Sequence, residues 1–134
     1  MSKNRSANCH DYDFHIIEAL NKLKIPIVGV DGKRFIIRKK ARKESGLEHI
    51  AKKCHNLKVR DIESVPEILR HPKYMCNDPD NHVYKNYYGI RKGNTSTSFI
   101  KIVTSPLKKD RATEEIITIY PTNSIKVEND YKKR

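Results

Sequence analysis

The chain has 134 residues and a formal net charge of +12, with 28 Lys and Arg against 16 Asp and Glu. This length suits one domain, and 37% hydrophobic residues are enough for one core but not for two. No stretch approaches the roughly 18 consecutive apolar residues of a membrane span, and no hydrophobic segment follows the N-terminus as in a signal peptide. Three widely separated cysteines argue against a disulfide framework, so we expect a soluble, cytoplasmic protein.

Positive charge is concentrated in the first half of the chain. Residues 1–60 hold 15 Lys and Arg against 6 Asp and Glu, whereas residues 61–134 hold 13 against 10. A basic cluster of seven cations within eleven positions is dense enough to contact several phosphates of one backbone. Its members are Lys33, Arg34, Arg38, Lys39, Lys40, Arg42 and Lys43. The cluster favours a nucleic-acid partner, and the absence of an amphipathic basic helix argues against a membrane surface.

An amphipathic helix is predicted over 11–24, because apolar residues recur there at helical spacing. They are Tyr12, Ile16, Ala19, Leu20 and Leu23. Next, the Asp31-Gly32 pair can supply the positive φ angles of a type I′ turn and predicts a β-hairpin over 25–38. This hairpin carries the first residues of the basic cluster.

Two further helices are predicted from capping patterns. Ser45 and Glu48 precede a helix over 46–55. Ser64 and Glu67 repeat the pattern ahead of a brief helix that ends before Pro72. The segment 73–82 is rich in turn-forming residues and predicts a loop.

A three-stranded antiparallel meander is predicted over 83–121, with strands at about 83–91, 96–104 and 113–121. Alternation directs Ile100, Ile102, Ile117 and Ile119 towards the helices. Lys101, Thr118 and Tyr120 then share the opposite, more open face. We expect a polar tail at 122–134 and a single α+β domain over 1–121.

The residues that could carry chemistry are histidines, cations and hydroxyls. No cofactor motif or standard zinc spacing occurs, so no cofactor or metal is predicted. RNA can be cleaved without a metal when groups that titrate near neutrality move protons and fixed cations stabilise the phosphorane. The candidates are His49 and His55 on the predicted helix, Lys85, Arg91 and Lys101 on the strands, and the hydroxyls of Thr118 and Tyr120. Helical geometry favours His55 at the rim of a cleft.

The order of these pieces resembles a known family. The sequence resembles the phage-type members of the barnase–EndoU–colicin–RelE superfamily of metal-independent ribonucleases. The resemblance lies in the run from Gly46 to His55, the segment 65–72, a turn-rich loop and the strand 116–121, in that order. The resemblance covers about residues 44–121. It implies helices packed on a twisted antiparallel sheet whose other face receives RNA. It also implies a toxin or phage-associated effector that leaves 2′,3′-cyclic phosphate ends.

The resemblance also suggests residue roles. His49 matches the helix histidine of the family, and Lys101 matches its basic residue on the penultimate strand. Thr118 matches the hydroxyl residue of the last strand, and Arg91 and Tyr120 are further candidates for the same site. The choice between His49 and His55 stays open. So does the general base, because Glu114 and Glu115 fall at a strand end.

Other interpretations remain open at this point. Tyr84, Tyr87 and Tyr88 lie beside Lys85, where they serve either base stacking or core packing. A non-catalytic RNA- or DNA-binding module would use the same basic surface. A third alternative is a basic protein that binds an acidic protein partner, such as an inhibitor or antitoxin.

Overall fold

The protein has an α+β fold in which short helices cover one face of a mixed six-stranded sheet. A computed structural model describes residues 11–38, 46–93, 98–123 and 126–128. The helices are α1 (Phe14–Lys22), α2 (Leu47–Ile50), α3 (Val59–Glu63) and α4 (Val65–Arg70). The strands are β1 (Ile27–Val28), β2 (Arg34–Ile36), β3 (Tyr74–Asn77), β4 (Lys85–Ile90), β5 (Ser98–Pro106) and β6 (Thr113–Asn123). Ser45 and the cluster residues Lys39, Lys40, Arg42 and Lys43 lie outside the described residues.

The first helix is the amphipathic one that its apolar spacing predicts, with tighter bounds. Asp13 caps α1, because its carboxylate accepts hydrogen bonds from the backbone N–H groups of His15 at 3.0 Å and Ile16 at 3.4 Å. Ile16 and Leu20 are buried on the inner face of the helix. The helix ends where Leu23 turns to an extended backbone conformation.

The prediction of one continuous helix over 46–55 is wrong, because α2 ends at Ile50. Lys52 is extended and pairs with Tyr12 as an isolated β-bridge. Backbone bonds from Asp13 N–H to the Ala51 carbonyl (2.8 Å) and from Lys53 N–H to the Asp11 carbonyl (2.9 Å) flank this bridge. They replace helical bonds, and a 3₁₀ turn at Lys53–His55 follows.

The next two helices are joined through Ser64. The sequence did not predict α3, whose start is fixed by a hydrogen bond from the Lys58 N–H to the Asp61 carboxylate at 2.8 Å. The Ser64 hydroxyl donates to the Asp61 carbonyl at 2.7 Å, so the predicted capping box with Glu67 does not form. Helix α4 can approach β4 closely because Gly89 has no side chain; a Cβ atom at this position would overlap Ile68.

The sheet has the strand order β1-β2-β6-β5-β4-β3. The predicted meander is present as β4, β5 and β6, and β1 and β2 form the predicted hairpin with positive φ at Asp31 and Gly32. Two expectations are wrong. The sheet is not purely antiparallel, because β2 pairs in parallel with β6, and part of the predicted 73–82 loop is an edge strand, β3.

The face of the meander that carries Lys101, Thr118 and Tyr120 is the more open one, as expected, because Thr118 and Tyr120 are only half-buried, but much of it is covered and Lys101 is buried. The main core lies between the sheet and the helices and includes Phe35, Tyr87, Ile100 and Ile119. On the other face, a second cluster consists of Cys76, Tyr88, Phe99 and Val127. Because Val127 packs here with 3% exposure, the predicted polar tail contributes an apolar residue that covers this face.

A β-bulge in β6 reverses the direction of the side chains that precede it. Val103 pairs with Thr118, but the next residue, Thr104, pairs with Ile116, so Ile117 has no partner across the strands. Ile116 is therefore fully buried in the main core, whereas Ile117 is only half-buried. The prediction that Ile117 faces the helices is wrong for this reason, and the same reversal directs Glu114 towards the core side.

The cysteines depart from the expectation of reduced thiols. Cys54 takes part in a disulfide bond whose partner lies outside the described residues. Cys76 on β3 is a buried thiol with 5% exposure. No helix of the described residues is long and apolar enough to cross a membrane.

Candidate functional site

A basic cleft of about 670 Å³ opens where β4, β5 and β6 meet the hairpin. Its charged lining consists of Lys33, Lys85, Lys108, Arg111 and Glu114, with His82 beside them. The carboxylate offsets one of four positive charges, so the cleft as a whole is cationic. Glu114 is 2% exposed, which places a carboxylate at the deepest charged position of the cleft.

Three donors hold the Glu114 carboxylate. The Lys33 ammonium donates to Oε2 at 2.6 Å. The Tyr87 hydroxyl (2.8 Å) and the Thr104 hydroxyl (2.6 Å) both donate to Oε1. A buried carboxylate is tolerated only when it is paired and hydrogen-bonded in this way.

These contacts shift the pKa values of the cleft residues. Burial alone raises the Glu114 pKa, but the hydrogen bonds from Lys33, Thr104 and Tyr87 outweigh it, so the pKa lies below its ordinary value. Burial likewise lowers the Lys33 pKa, but the Glu114 carboxylate reverses the effect and leaves it raised. The neighbouring Lys33 amine, followed by burial, lowers the pKa of Lys85. The cleft therefore holds an ionised carboxylate beside two adjacent amines.

The described members of the predicted basic cluster are paired with carboxylates of the chain. Besides the Lys33–Glu114 pair, Arg34 lies 3.0 Å from Asp110 and Arg38 lies 2.5 Å from Glu115. All three pairs join the hairpin to β6 or to the turn before it. Each of these cations therefore stabilises the docking of the hairpin, and its contact with phosphate stays a prediction.

Two other predicted site residues, Tyr87 and Arg91, have their polar groups held in contacts within the fold. Tyr87, predicted as a nucleic-acid contact, is fully buried and packs edge-on against Phe35 with ring centroids 5.3 Å apart, so it cannot stack on a base. Burial, together with the Glu114 contact, raises the Tyr87 pKa far above its ordinary range. Arg91 forms a two-bond pair with Asp61 at 3.1 and 3.0 Å and also donates to the Asn56 carbonyl at 3.0 Å. It fixes α3 against the end of β4.

Lys101, Thr118 and Tyr120 lie on one face of the sheet, as their alternation predicts. The Lys101 ammonium lies 5.8 Å from the centroid of the Tyr88 ring and 5.5 Å from that of Tyr120, which are its two cross-strand neighbours. It is only 8% exposed. The aromatic rings therefore hold this cation inside the covered face.

The two histidines of the predicted helix lie together. Their rings meet edge to face with centroids 5.1 Å apart, and His55 Nδ1 lies 3.2 Å from the Ile50 carbonyl oxygen. Burial and the nearby Lys52 charge lower the His55 pKa, although the Ile50 contact opposes this. Helix α2 packs Ile50 into the main core, on the other side of the sheet from Lys101. Within the described residues the structure therefore brings His49 and His55 to each other, while Lys101 and Thr118 form a separate group.

Comparisons with known proteins identify no family for this sequence. No protein-family model, curated protein or solved structure matches the chain. Within the described residues, no group of three or more His, Cys, Asp or Glu side chains is arranged to hold a metal ion.

Glu114, like His82, Lys108 and Arg111, is a cleft residue that the sequence analysis did not identify as a site residue. The alternating pattern of β6 assigns it to the same face as Thr118, and the β-bulge moves it to the other. A signal existed in the pair Glu114-Glu115, because two successive carboxylates before an apolar strand are costly to bury without partners. The basic hairpin supplies those partners.

Proposed function

We propose that this protein is a metal-independent endoribonuclease that cleaves RNA in the Glu114 cleft by 2′-hydroxyl attack and leaves a 2′,3′-cyclic phosphate. The observation that carries the proposal is the ionised, buried Glu114 carboxylate beside the amines of Lys33 and Lys85 in a cationic cleft. An RNA phosphate suits this charge distribution, and the carboxylate supplies a proton acceptor next to it. We include in the proposal a distant relationship to the barnase–EndoU–colicin–RelE ribonucleases, with which the α+β class and the meander are compatible.

The proposed reaction uses groups that line the cleft. Glu114 accepts the 2′-hydroxyl proton as the 2′-oxygen bonds to phosphorus. Lys33 and Lys85 stabilise the negative charge of the phosphorane. The bond from phosphorus to the 5′-oxygen then breaks, and His82 at the rim donates a proton to that oxygen.

The low pKa of Glu114 makes it a weak base in the empty cleft. A phosphate bound between Lys33 and Lys85 competes with Glu114 for the Lys33 ammonium. Because Lys33 is a main cause of the low pKa, this competition makes the carboxylate more basic once RNA is bound. The Tyr87 and Thr104 hydroxyls keep the carboxylate in position meanwhile.

The test is cleavage of an end-labelled RNA in excess EDTA, with a matched RNA that carries one 2′-deoxynucleotide at the mapped cut site. We expect wild-type protein to cut the first RNA in EDTA and to leave the modified site intact. Glu114→Gln should lower the rate by at least about a hundredfold, which is the lower limit for loss of a general base. Glu115→Gln is the matched control, because Glu115 is also buried and ion-paired, but with Arg38.

Three outcomes separate the alternatives. If His49→Ala and Lys101→Ala abolish cleavage while Glu114→Gln does not, the reaction takes place at the residues that the family resemblance suggests. Retention of RNA without any cut would favour a non-catalytic binding module. Neither binding nor cleavage would leave an acidic protein as the partner of the basic surface.

A further inference from the structure

A second hollow adjoins the basic cleft. It has a volume of about 440 Å³ and shares Asn77, His82 and Lys85 with the cleft. Its remaining lining consists of three apolar side chains, from Met75, Cys76 and Pro79, and of Asp78, whose carboxylate accepts hydrogen bonds within its own loop. The two hollows lie side by side, and their lining changes from cationic to largely apolar across the three residues that they share.

This change of chemistry matches one nucleotide. The phosphate of a nucleotide is anionic, and its base is a flat, mainly apolar ring with polar edges. We infer that the hollow lined by Met75, Cys76 and Pro79 is a nucleobase subsite, with Asn77 as the residue that reads the base edge. The inference rests on the proposed function for the class of substrate, and it assigns a selectivity that cleavage alone does not require.

Asn77 is suited to this role by its position and chemistry. It is the last residue of the edge strand β3, it pairs with Lys85 across the strands, and its side chain is exposed in the shared wall. A carboxamide offers one acceptor and two donors, which is the combination that base edges require. The His82 ring and the Pro79 ring border the same space and supply surfaces against which a base can pack.

The loop that closes this hollow is held by its own hydrogen bonds. The Asp78 carboxylate accepts from the N–H groups of Asp80 (2.8 Å) and Asn81 (3.2 Å), and the Asp78 N–H donates to the Tyr84 carbonyl at 2.9 Å. The Asn81 side-chain oxygen accepts from the Val83 N–H at 3.1 Å. A wall that is ordered before binding loses little conformational entropy when a ligand enters, which favours selective recognition.

The test compares inorganic phosphate with the four nucleoside 3′-monophosphates by isothermal titration calorimetry. These mononucleotides lack the 5′-ester that the proposed reaction breaks, so binding is measured apart from cleavage. We expect at least one mononucleotide to bind about tenfold or more tightly than phosphate, in line with the contribution of a stacked base. Asn77→Ala should reduce that ratio several-fold, and Asn21→Ala on the exposed surface of α1 should leave it unchanged.

The inference is overturned if all four mononucleotides bind no more tightly than phosphate, or if Asn77→Ala leaves the ratio unchanged. Its failure differs from failure of the proposed function. A protein that cuts RNA in EDTA but binds mononucleotides no better than phosphate retains the function and loses the subsite. A protein that selects one mononucleotide through Asn77 but never cuts RNA retains the subsite and loses the function.

Discussion

Replacing Tyr87 by Phe removes one hydroxyl from the Glu114 network and leaves the rest of the side chain in place. The Tyr87 hydroxyl donates to Glu114 Oε1 at 2.8 Å, and the ring contacts Phe35. Phe preserves that ring contact and nearly the same volume. The variant therefore isolates the hydrogen bond from the packing.

The expected cost follows from the kind of bond that is lost. A hydrogen bond to a charged acceptor contributes about 1.5–3 kcal/mol to stability. Glu114 keeps its bonds from Lys33 and Thr104, so we expect the lower end, a loss of about 1.5 kcal/mol near neutral pH. The loss should depend on pH. The folded pKa of Glu114 lies below its ordinary value of 4.5, so its contribution to stability is present above that value and disappears as pH falls through the folded pKa.

The assay is urea unfolding of wild-type and Tyr87→Phe protein at pH 7 and again well below pH 4.5. The difference in unfolding free energy should be largest at pH 7 and should narrow in acid. Tyr84→Phe, at a half-buried tyrosine outside the network, serves as the matched control and should differ little from wild type at either pH. Equal stability of Tyr87→Phe and wild type at pH 7, or the same loss at both pH values, would refute this account of Glu114.

Three further predictions concern charge pairing, RNA binding and thiols. Arg91→Met should destabilise the protein by about 3–5 kcal/mol in urea unfolding, because it leaves the Asp61 carboxylate, which is 1% exposed, without its cation. The control is Arg70→Met on the exposed surface of α4, which should have little effect in the same titration. Single-stranded RNA should bind more weakly as salt rises, with a slope of about −2 in a plot of the logarithm of the binding constant against the logarithm of the salt concentration. The slope comes from about −0.7 for each of three phosphates contacted by Lys85, Lys108 and Arg111. A binding constant that does not change with salt in fluorescence anisotropy would contradict contact with the cleft. A thiol reagent should detect one thiol per chain in denatured protein that has not been reduced, and three thiols per chain after reduction. Three thiols before reduction would contradict the Cys54 disulfide.

Elements with a repeated pattern were predictable from the sequence. The apolar stripe of α1 identifies Ile16 and Leu20 as buried, and the Asp31-Gly32 pair predicts the hairpin, because only a few residue pairs accept two positive φ angles. The meander follows from alternation over strands of six or more residues. In each case a local rule and the tertiary structure agree.

The elements that escaped prediction are short or irregular. Helix α3 has five residues and β3 has four, too few to repeat a period. Glu114 escaped because alternation carries a side-chain direction along a strand only while the register is unbroken, and one unpaired residue at Ile117 reverses it. The partnership of Glu114 with Lys33 depends on the pairing of β2 with β6, for which neither segment carries a local signal.

The parallel pairing of β2 with β6 also bears on the order of folding. Arg34 and Thr113, which pair across it, are 79 positions apart in the chain. Contacts of such separation form late, because the intervening chain must lose its freedom before the contact returns any free energy. During synthesis the hairpin therefore leaves the ribosome long before its partner strand β6 exists, and Phe35 stays uncovered until β4, with Tyr87, and then β6 arrive. We expect the backbone amides of β2 to be among the last of the described residues to become protected from hydrogen exchange.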